Sequence, residues 1–586
     1  MLLSQYIDKV RNQITEDKKL ESEFFSTSSQ VLEGNIQVYD RLVDLGDQLD
    51  WNRDITASTS WPIRFFKNYR SLVRGRRGNH GDFRFTWELS RQQHLLGLAI
   101  AYRITGEEKY ADCVMKHLTS WIDKSPPFWS LNWISSMEVG LRMVTWAIAL
   151  GVLAGSPALT QNQHKIIVCI YQHMRFLREN LSVALDDAGG ATKLKNNHTI
   201  VELASLLVAC EFFPQLARAS QIDSEKHALL KSLLDELHRQ TFSDGMHVEQ
   251  ASSYLRFVIE SLLVTRLTVS GTEDLDHYIH QYMNAINAFR FDDHKIFLVG
   301  DEDNGHVLLP FFESLPDCTR VIAGMYSILL QSSENTELLS GQTTGWSSLA
   351  HRDTALTASG HWIARAQVKD VDLAVYFRAG RMDFPTIPGY APHVHCDLLS
   401  MDFALDNQLW LVDRGTYSYV ERKAADELRS GTGHNIVSVD GFEQMTLLGA
   451  FNGKDHSIAE ILQVKPRAVS GRLNLDNKER TVTINRSITV SPERGEITIE
   501  DTVDGLLDDT VEWLLNLHPE VKADDDRVLS RPGSPLRVAL KGWEDASIKD
   551  VYYSPRYGVR QRSSQLVLSH SAQGNLSKKW SISLIA

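Results

Sequence analysis

The sequence predicts a multidomain α + β protein, helices first and an antiparallel β-sandwich second. Three observations carry this. At 586 residues the chain is too long for one hydrophobic core, so two or more domains are expected. Up to about residue 340 the apolar residues recur with the helical period. Beyond about residue 345 they alternate with period two and the composition turns to Val, Ile and Thr. The change falls in the stretch Ser340-Gly341-Gln342-Thr343-Thr344-Gly345, which sets expected domains at 1–345 and 346–586.

In the first half, helical periodicity covers Trp87–Ile104, Glu108–Ile122, Ser136–Leu153, Gln161–Asn180, His198–Phe213, Ser224–Gln240, Gln250–Thr268 and Leu275–Phe289. Short loops such as Thr105-Gly106-Glu107 join them. Helices in series without intervening strands build either a solenoid or a closed toroid. Seven of the thirteen tryptophans lie in the first 150 residues. The segment Pro126-Pro127-Phe128-Trp129-Ser130-Leu131-Asn132-Trp133 carries rings off any helical face. Such rings either stack on the flat apolar face of a sugar or pack helices together.

In the second half, strands are expected at Gly360–Phe377, Ser400–Val412, Ala459–Val464, Arg480–Val490, Glu496–Val503, Thr510–Leu517, Leu536–Lys541 and Leu566–Leu568, separated by polar turns such as Pro492-Glu493-Arg494-Gly495.

The chemistry concentrates in Pro392-His393-Val394-His395-Cys396-Asp397. If this segment enters a strand, His393 and His395 share a face. Leu399, Met401, Phe403 and Leu405 then alternate, Asp406-Asn407 turns, and Leu409 to Val412 returns, a hairpin ending at Asp413. A third strand begins at His434-Asn435. His395, Asp413 and His434 therefore meet at one sheet corner, and two imidazoles with a carboxylate suit zinc at about 2.0–2.2 Å. The plainer alternative is a surface or core His-x-His.

Bulk properties narrow the partners. A net charge of −13 argues against general nucleic-acid binding but leaves room for a local basic groove. Five scattered cysteines without a CxxC pair read as reduced thiols. No run of about eighteen apolar residues suggests an integral membrane segment. The N-terminus reads as an amphipathic helix and not a signal peptide, so a cytoplasmic protein is expected, or a periplasmic one if the native N-terminus lies upstream.

Three further stretches carry polar residues at helix starts or in loops. Asn196-Asn197-His198 opens a helix after Gly189-Gly190, where amide donors favour an anion, and Glu202 lies one turn on, placed to orient His198. An ordinary Asn cap is the alternative. Asp244-Gly245 turns into a polar run that brings His247 and Tyr254 near a helix start. Gly300-Asp301-Glu302-Asp303-Asn304-Gly305-His306 is a polar loop that either lines a pocket or is a solvated turn.

Taken in order, Asn196–Glu202, Asp244–Arg256, Gly300–His306, His393–Gly415 and His434-Asn435 resemble the heparinase II/III-like family of polysaccharide lyases. The likeness extends to Trp87-Glu88-Leu89-Ser90-Arg91 and Asn132-Trp133. It implies an incomplete α/α toroid followed by an antiparallel β-sandwich, and β-elimination at a uronic acid in an acidic polysaccharide or oligosaccharide. By the resemblance, Asn197 or His198 neutralises the carboxylate, Tyr254 is the acid with the base role also open to it, and His393 is the second base. Free Tyr titrates near pH 10 and His near 6.5, so Tyr254 as base requires positive charge nearby. Arg256 and Arg429 are the candidates for that charge or for gripping acidic sugars; Glu202, Asn132, Trp133 and His306 complete the expected substrate contacts. The resemblance makes His395, Asp413 and His434 a structural zinc site that braces His393. Met382–Gly389 is less Gly-rich than the family pattern, which bears on substrate class. A zinc- or carboxylate-based glycan hydrolase and a non-catalytic glycan-binding protein are the competing readings.

Overall fold

The computed structural model describes residues 2–46, 48–57, 59–69, 81–182, 196–308, 318–332, 351–368, 370–382, 392–477, 479–524 and 527–585. Ser340–Gly345, Gly189-Gly190 and the segment 383–389 lie outside the described residues. The chain divides into two compact units: residues 1–239, 256–280 and 306–345 form the first, and 240–255, 281–305 and 346–586 the second. Two short stretches of the helical half thus belong to the second unit.

The first unit is mainly helical, with two small antiparallel pairs of strands, Asn35–Val38 with Arg41–Asp44 and Arg53–Asp54 with Thr59–Ser60. Ser136–Val152 and Asn197–Phe212 are buried around almost their whole circumference, which is why their sequences are apolar on every face. Glu108–Lys124 and Pro157–Glu179 are amphipathic and turn one face inward. The stretch expected as one helix over Trp87–Ile104 is two, Phe83–Ser90 and His94–Thr105. The break is at Gln92, a non-glycine residue at φ +56°, a conformation that cannot continue a right-handed helix. No helix among the described residues is long and apolar enough to cross a membrane.

The second unit is antiparallel β. A five-stranded meander runs through Thr354–Leu356, His361–Val368, Val371–Arg378, Met401–Leu405 and Gln408–Leu411. A ten-stranded sheet is built on the long strands Glu496–Asn516 and Gln561–Ile585. Trp362, Phe377 and Phe403 of the smaller sheet share one core with Leu473, Ile484, Ile499 and Trp513 of the larger, so the two sheets pack face to face. The expected strands Glu496–Val503 and Thr510–Leu517 are one strand, continuous through two register shifts. The hairpin at Asp406-Asn407 forms as read, with both turn residues at positive φ.

One expectation is overturned in a way that matters for function. His393 and His395 are not in a strand; residues 392–400 are irregular and the strand begins at Met401. Side chains and neighbouring loops hold this backbone where a ladder would. Arg429 Nε donates to Val394 O at 3.0 Å, and Cys396 N donates to Arg429 O at 3.0 Å. Gln444 closes a pair of hydrogen bonds with Leu398 at 2.9 and 3.1 Å. The buried Arg378–Asp397 ion pair at 2.6 Å and Arg486 Nη1 on Leu399 O at 2.8 Å fix the exit. The bonds to Val394 O, Cys396 N, Leu398 and Leu399 O satisfy buried backbone groups that the missing sheet would have paired.

Candidate active site

In the second unit, the loop carrying His393 meets the loop 300–305 and the start of helix Ser252–Thr268. Gly300 sits at φ +66°, and a Cβ there would lie 2.4 Å from His393 O, so only glycine permits this approach. Asp301 N then donates to His393 O at 2.9 Å.

Tyr254 stacks on His393 with ring centroids 3.7 Å apart and planes 20° from parallel. The Tyr254 hydroxyl donates to Asp303 Oδ2 at 2.6 Å and lies 3.2 Å from the Tyr419 hydroxyl. The hydrogen bond to the Asp303 carboxylate is the arrangement of a proton donor. His393 Nδ1 is 2.9 Å from Asp301 Oδ2, and its Nε2 is 3.9 Å from Glu249 Oε1. Burial alone would push the Asp301 carboxyl up, but hydrogen bonds from His393 and His395 outweigh it and hold the group well below the usual carboxylate range. His247 is pushed down to about 3 by burial, with the nearby His393 adding to the shift. Phe451, 38 % exposed, stands edge-on to His393 at 5.8 Å and 4.7 Å from the Tyr419 ring.

His395, Asp413 and His434 come together, their ligand atoms all within 4.8 Å of one another and all three residues buried. They come from the two sheets, not from one corner: Asp413 follows Gln408–Leu411 of the meander, and His434 precedes Val437–Val439, which pairs with Glu496–Asn516 of the larger sheet. The group fits a cation. His395 Nδ1 and both ring nitrogens of His434 are buried without a hydrogen-bond partner, although His434 Nδ1 lies 3.1 Å from Asp413 Oδ2. Buried polar atoms are rarely left so unless something else binds them. Gly415 N donates to Asp413 Oδ1 at 2.7 Å and His395 Nε2 contacts Asp301 Oδ1 at 3.0 Å, the outer bonds that orient ligands. This buried His/Asp/His group could hold a metal ion.

The remaining expected residues fall differently. Arg429 is buried and spends its guanidinium on Val394 O, Gly449 O and Ala450 O, so it clamps the loop of His393 from within. In the first unit, Asn196 accepts from His198 N at 3.1 Å as the cap, leaving Asn197 and His198 in the first turn of the helix. Asn197 is fully buried and His198 half-buried. The Glu202 carboxylate accepts from Ser182 N and Oγ, both at 2.6 Å, and burial pushes it up to about 8. Arg256 Nη1 faces His306 Nδ1 at 2.9 Å and Glu260 Oε2 at 3.5 Å, all three buried. Asn132 and Trp133 are 0 % exposed. Asn132 donates to Trp51 O, and the Trp133 indole donates to Ser125 O at 3.2 Å, so both are core residues with no surface to offer a glycan. Of the aromatic segment only Trp129 is half exposed.

Comparison with known proteins agrees with this architecture. The heparinase II/III N-terminus profile matches residues 3–293, and the heparinase II/III-like C-terminal profile matches residues 335–581. The chain belongs to the heparinase II/III-like family, a family of polysaccharide lyases. Among solved structures, a heparinase III matches with a TM-score of 0.63 at 14 % identity, over 98 % of this chain and 92 % of that one. A second heparinase III gives 0.59 at 16 % identity, over 96 % and 84 %. The heparan sulfate lyase of Pedobacter heparinus gives 0.55 at 15 % identity, over 96 % and 82 %. These likenesses establish the fold, helices followed by antiparallel sheet. Comparison with curated proteins gives no match.

Asp301, Asp303 and Glu249 lay in stretches the sequence had singled out, but without a role; Gly300 beside Asp301 was the available signal. Tyr419 and Phe451 sit in segments with no local pattern to mark them.

Proposed function

We propose that this protein cleaves a uronic-acid-containing glycan by β-elimination. The observation that carries the reading is the stacked Tyr254–His393 pair, a proton donor and an imidazole in van der Waals contact beside three carboxylates. Elimination needs such a pair. A base removes the C5 proton, the C5–H electrons form the C4–C5 double bond, and the C4–O4 electrons leave on O4, which takes a proton from the acid. His393, through Nε2, is the base; Tyr254 is the acid, and solvent returns its proton after release. The uronate carboxylate has to be neutralised as well, since the C5 proton is otherwise too weakly acidic to lose. General acid–base catalysis of this kind contributes about 10²–10⁴-fold. The exposed ring of Phe451 offers an apolar face to a sugar.

His395, Asp413 and His434 would hold zinc, which supplies a rigid anchor for the His393 loop and takes no part in the proton transfers. The test is product analysis on alginate, heparan sulfate, hyaluronan and acidic bacterial capsules or their oligomers. Elimination predicts fragments whose masses sum to the parent with one unsaturated end; fragments that together gain a water would replace this reading with a hydrolase.

A further inference from the structure

We infer that Asp301 is a positioning residue that sets the tautomers of two imidazoles at once: His393 with its proton on Nδ1 and its lone pair on Nε2, and His395 with its proton on Nε2 and its lone pair on Nδ1. The two oxygens divide the work. Oδ2 faces His393 Nδ1 at 2.9 Å, and Oδ1 faces His395 Nε2 at 3.0 Å, with Thr416 Oγ1 donating to Oδ1 at 3.2 Å. An ionised carboxylate only accepts, so each ring nitrogen that meets it carries the hydrogen. In a neutral imidazole the other nitrogen is then the lone pair.

Both lone pairs are where they are of use. His393 Nε2 has Glu249 Oε1 at 3.9 Å, beyond hydrogen-bond distance, and is left to a substrate proton. His395 Nδ1 is buried without a hydrogen-bond partner on the side of Asp413 and His434. The carboxylate itself is pinned by its own backbone. Asp301 N donates to His393 O at 2.9 Å, and Ser253 Oγ, one residue before Tyr254, donates to Asp301 O at 2.5 Å. One side chain thus ties the cation-binding group to the reactive ring.

Asp301→Asn is the sharp variant. An amide offers one acceptor and one donor where the carboxylate offered two acceptors. It cannot receive both N–H groups, so one ring must change tautomer. If His393 changes, kcat falls on the order of 10²-fold with KM little altered and metal retained. If His395 changes, bound zinc falls at unchanged added zinc. The experiment is nitrogen-15 spectroscopy of histidine-labelled protein, with the His393 and His395 signals assigned by their loss in His393→Gln and His395→Gln, alongside metal content and kinetics. The expected result is the stated pair of tautomers in the wild type and one of them switched in Asp301→Asn. A wild-type His393 protonated on Nε2 would overturn the inference even if Asp301→Asn did not fold. So would an Asp301→Asn protein that keeps both tautomers, its zinc and its kcat. The kcat arm rests on the lyase reading; the spectra and metal content do not, so a wild type inactive on every glycan would sink that reading and leave this one decided by its rings.

Discussion

Two buried polar clusters of the β unit make an instructive pair. Arg486 binds Asp501 at 2.7 and 3.2 Å, its remaining nitrogen donates to Leu399 O and Asn435 O, and Asp501 Oδ2 also accepts the indoles of Trp513 and Trp580 at 2.9 and 3.0 Å. Its donors and acceptors are matched inside the core. The cluster of Asp301, His393, His395, Asp413 and His434 is equally buried but unfinished: His395 Nδ1 and both nitrogens of His434 lack hydrogen-bond partners. A saturated cluster holds the fold; one with lone pairs left over could hold a metal ion. The two are linked, since Arg486 grips the backbone just after His434 and just before Met401.

That contrast can be broken by experiment. The largest effect is expected for Asp501→Ala, which leaves Arg486 as an uncompensated buried charge and costs about 3–5 kcal/mol. Denaturant unfolding measures it, and a loss under about 1 kcal/mol, the scale of an exposed pair, would deny the cluster its structural role. His434→Ala is expected to bring bound metal to background with a smaller loss of stability, because it removes a ligand and not a saturated ion pair. Metal analysis after exposure to zinc checks this; undiminished binding would mean that the unpaired nitrogens are not ligands. Chelation of the wild type should lower Tm reversibly.

Glu202 is the intermediate case, a buried carboxyl that accepts two hydrogen bonds from Ser182. Its folded value, about 8, lies above the ordinary 4.5. Between those values the folded state binds the proton that the unfolded state has released. Its contribution to stability is therefore full below about pH 4.5 and declines as pH rises to about 8. Glu202→Gln should flatten the fall of Tm across that window; the same slope in both proteins would refute the assignment.

The helices of the first unit and the hairpin around Asp406-Asn407 were legible because apolar period and turn chemistry are local signals. So was the grouping of His395, Asp413 and His434, since strand ends and starts present ligands whichever sheet they belong to. The conformation of residues 392–400 was not. A His-x-His pair before an apolar alternation carries the mark of a strand, and what prevents one is a set of bonds from Arg378, Arg429, Gln444 and Arg486, all distant in sequence. The same distance hid Asp301 as the partner of His393, and it hid the packing of Asn132 and Trp133, whose loop composition suggested exposure while their hydrogen bonds lie in the core.

The measurement that bears most directly on the proposed chemistry is the ultraviolet absorbance of the C4–C5 unsaturated product, followed with wild type, Tyr254→Phe and His393→Ala on the uronate glycan that gives the strongest signal. The wild type should generate the absorbing product. Both variants should lose on the order of 10²–10⁴-fold in kcat while unfolding within a few degrees of the wild type. A Tyr254→Phe protein that turns over at the wild-type rate would contradict the account, and so would glycan cleavage that never produces the absorbance.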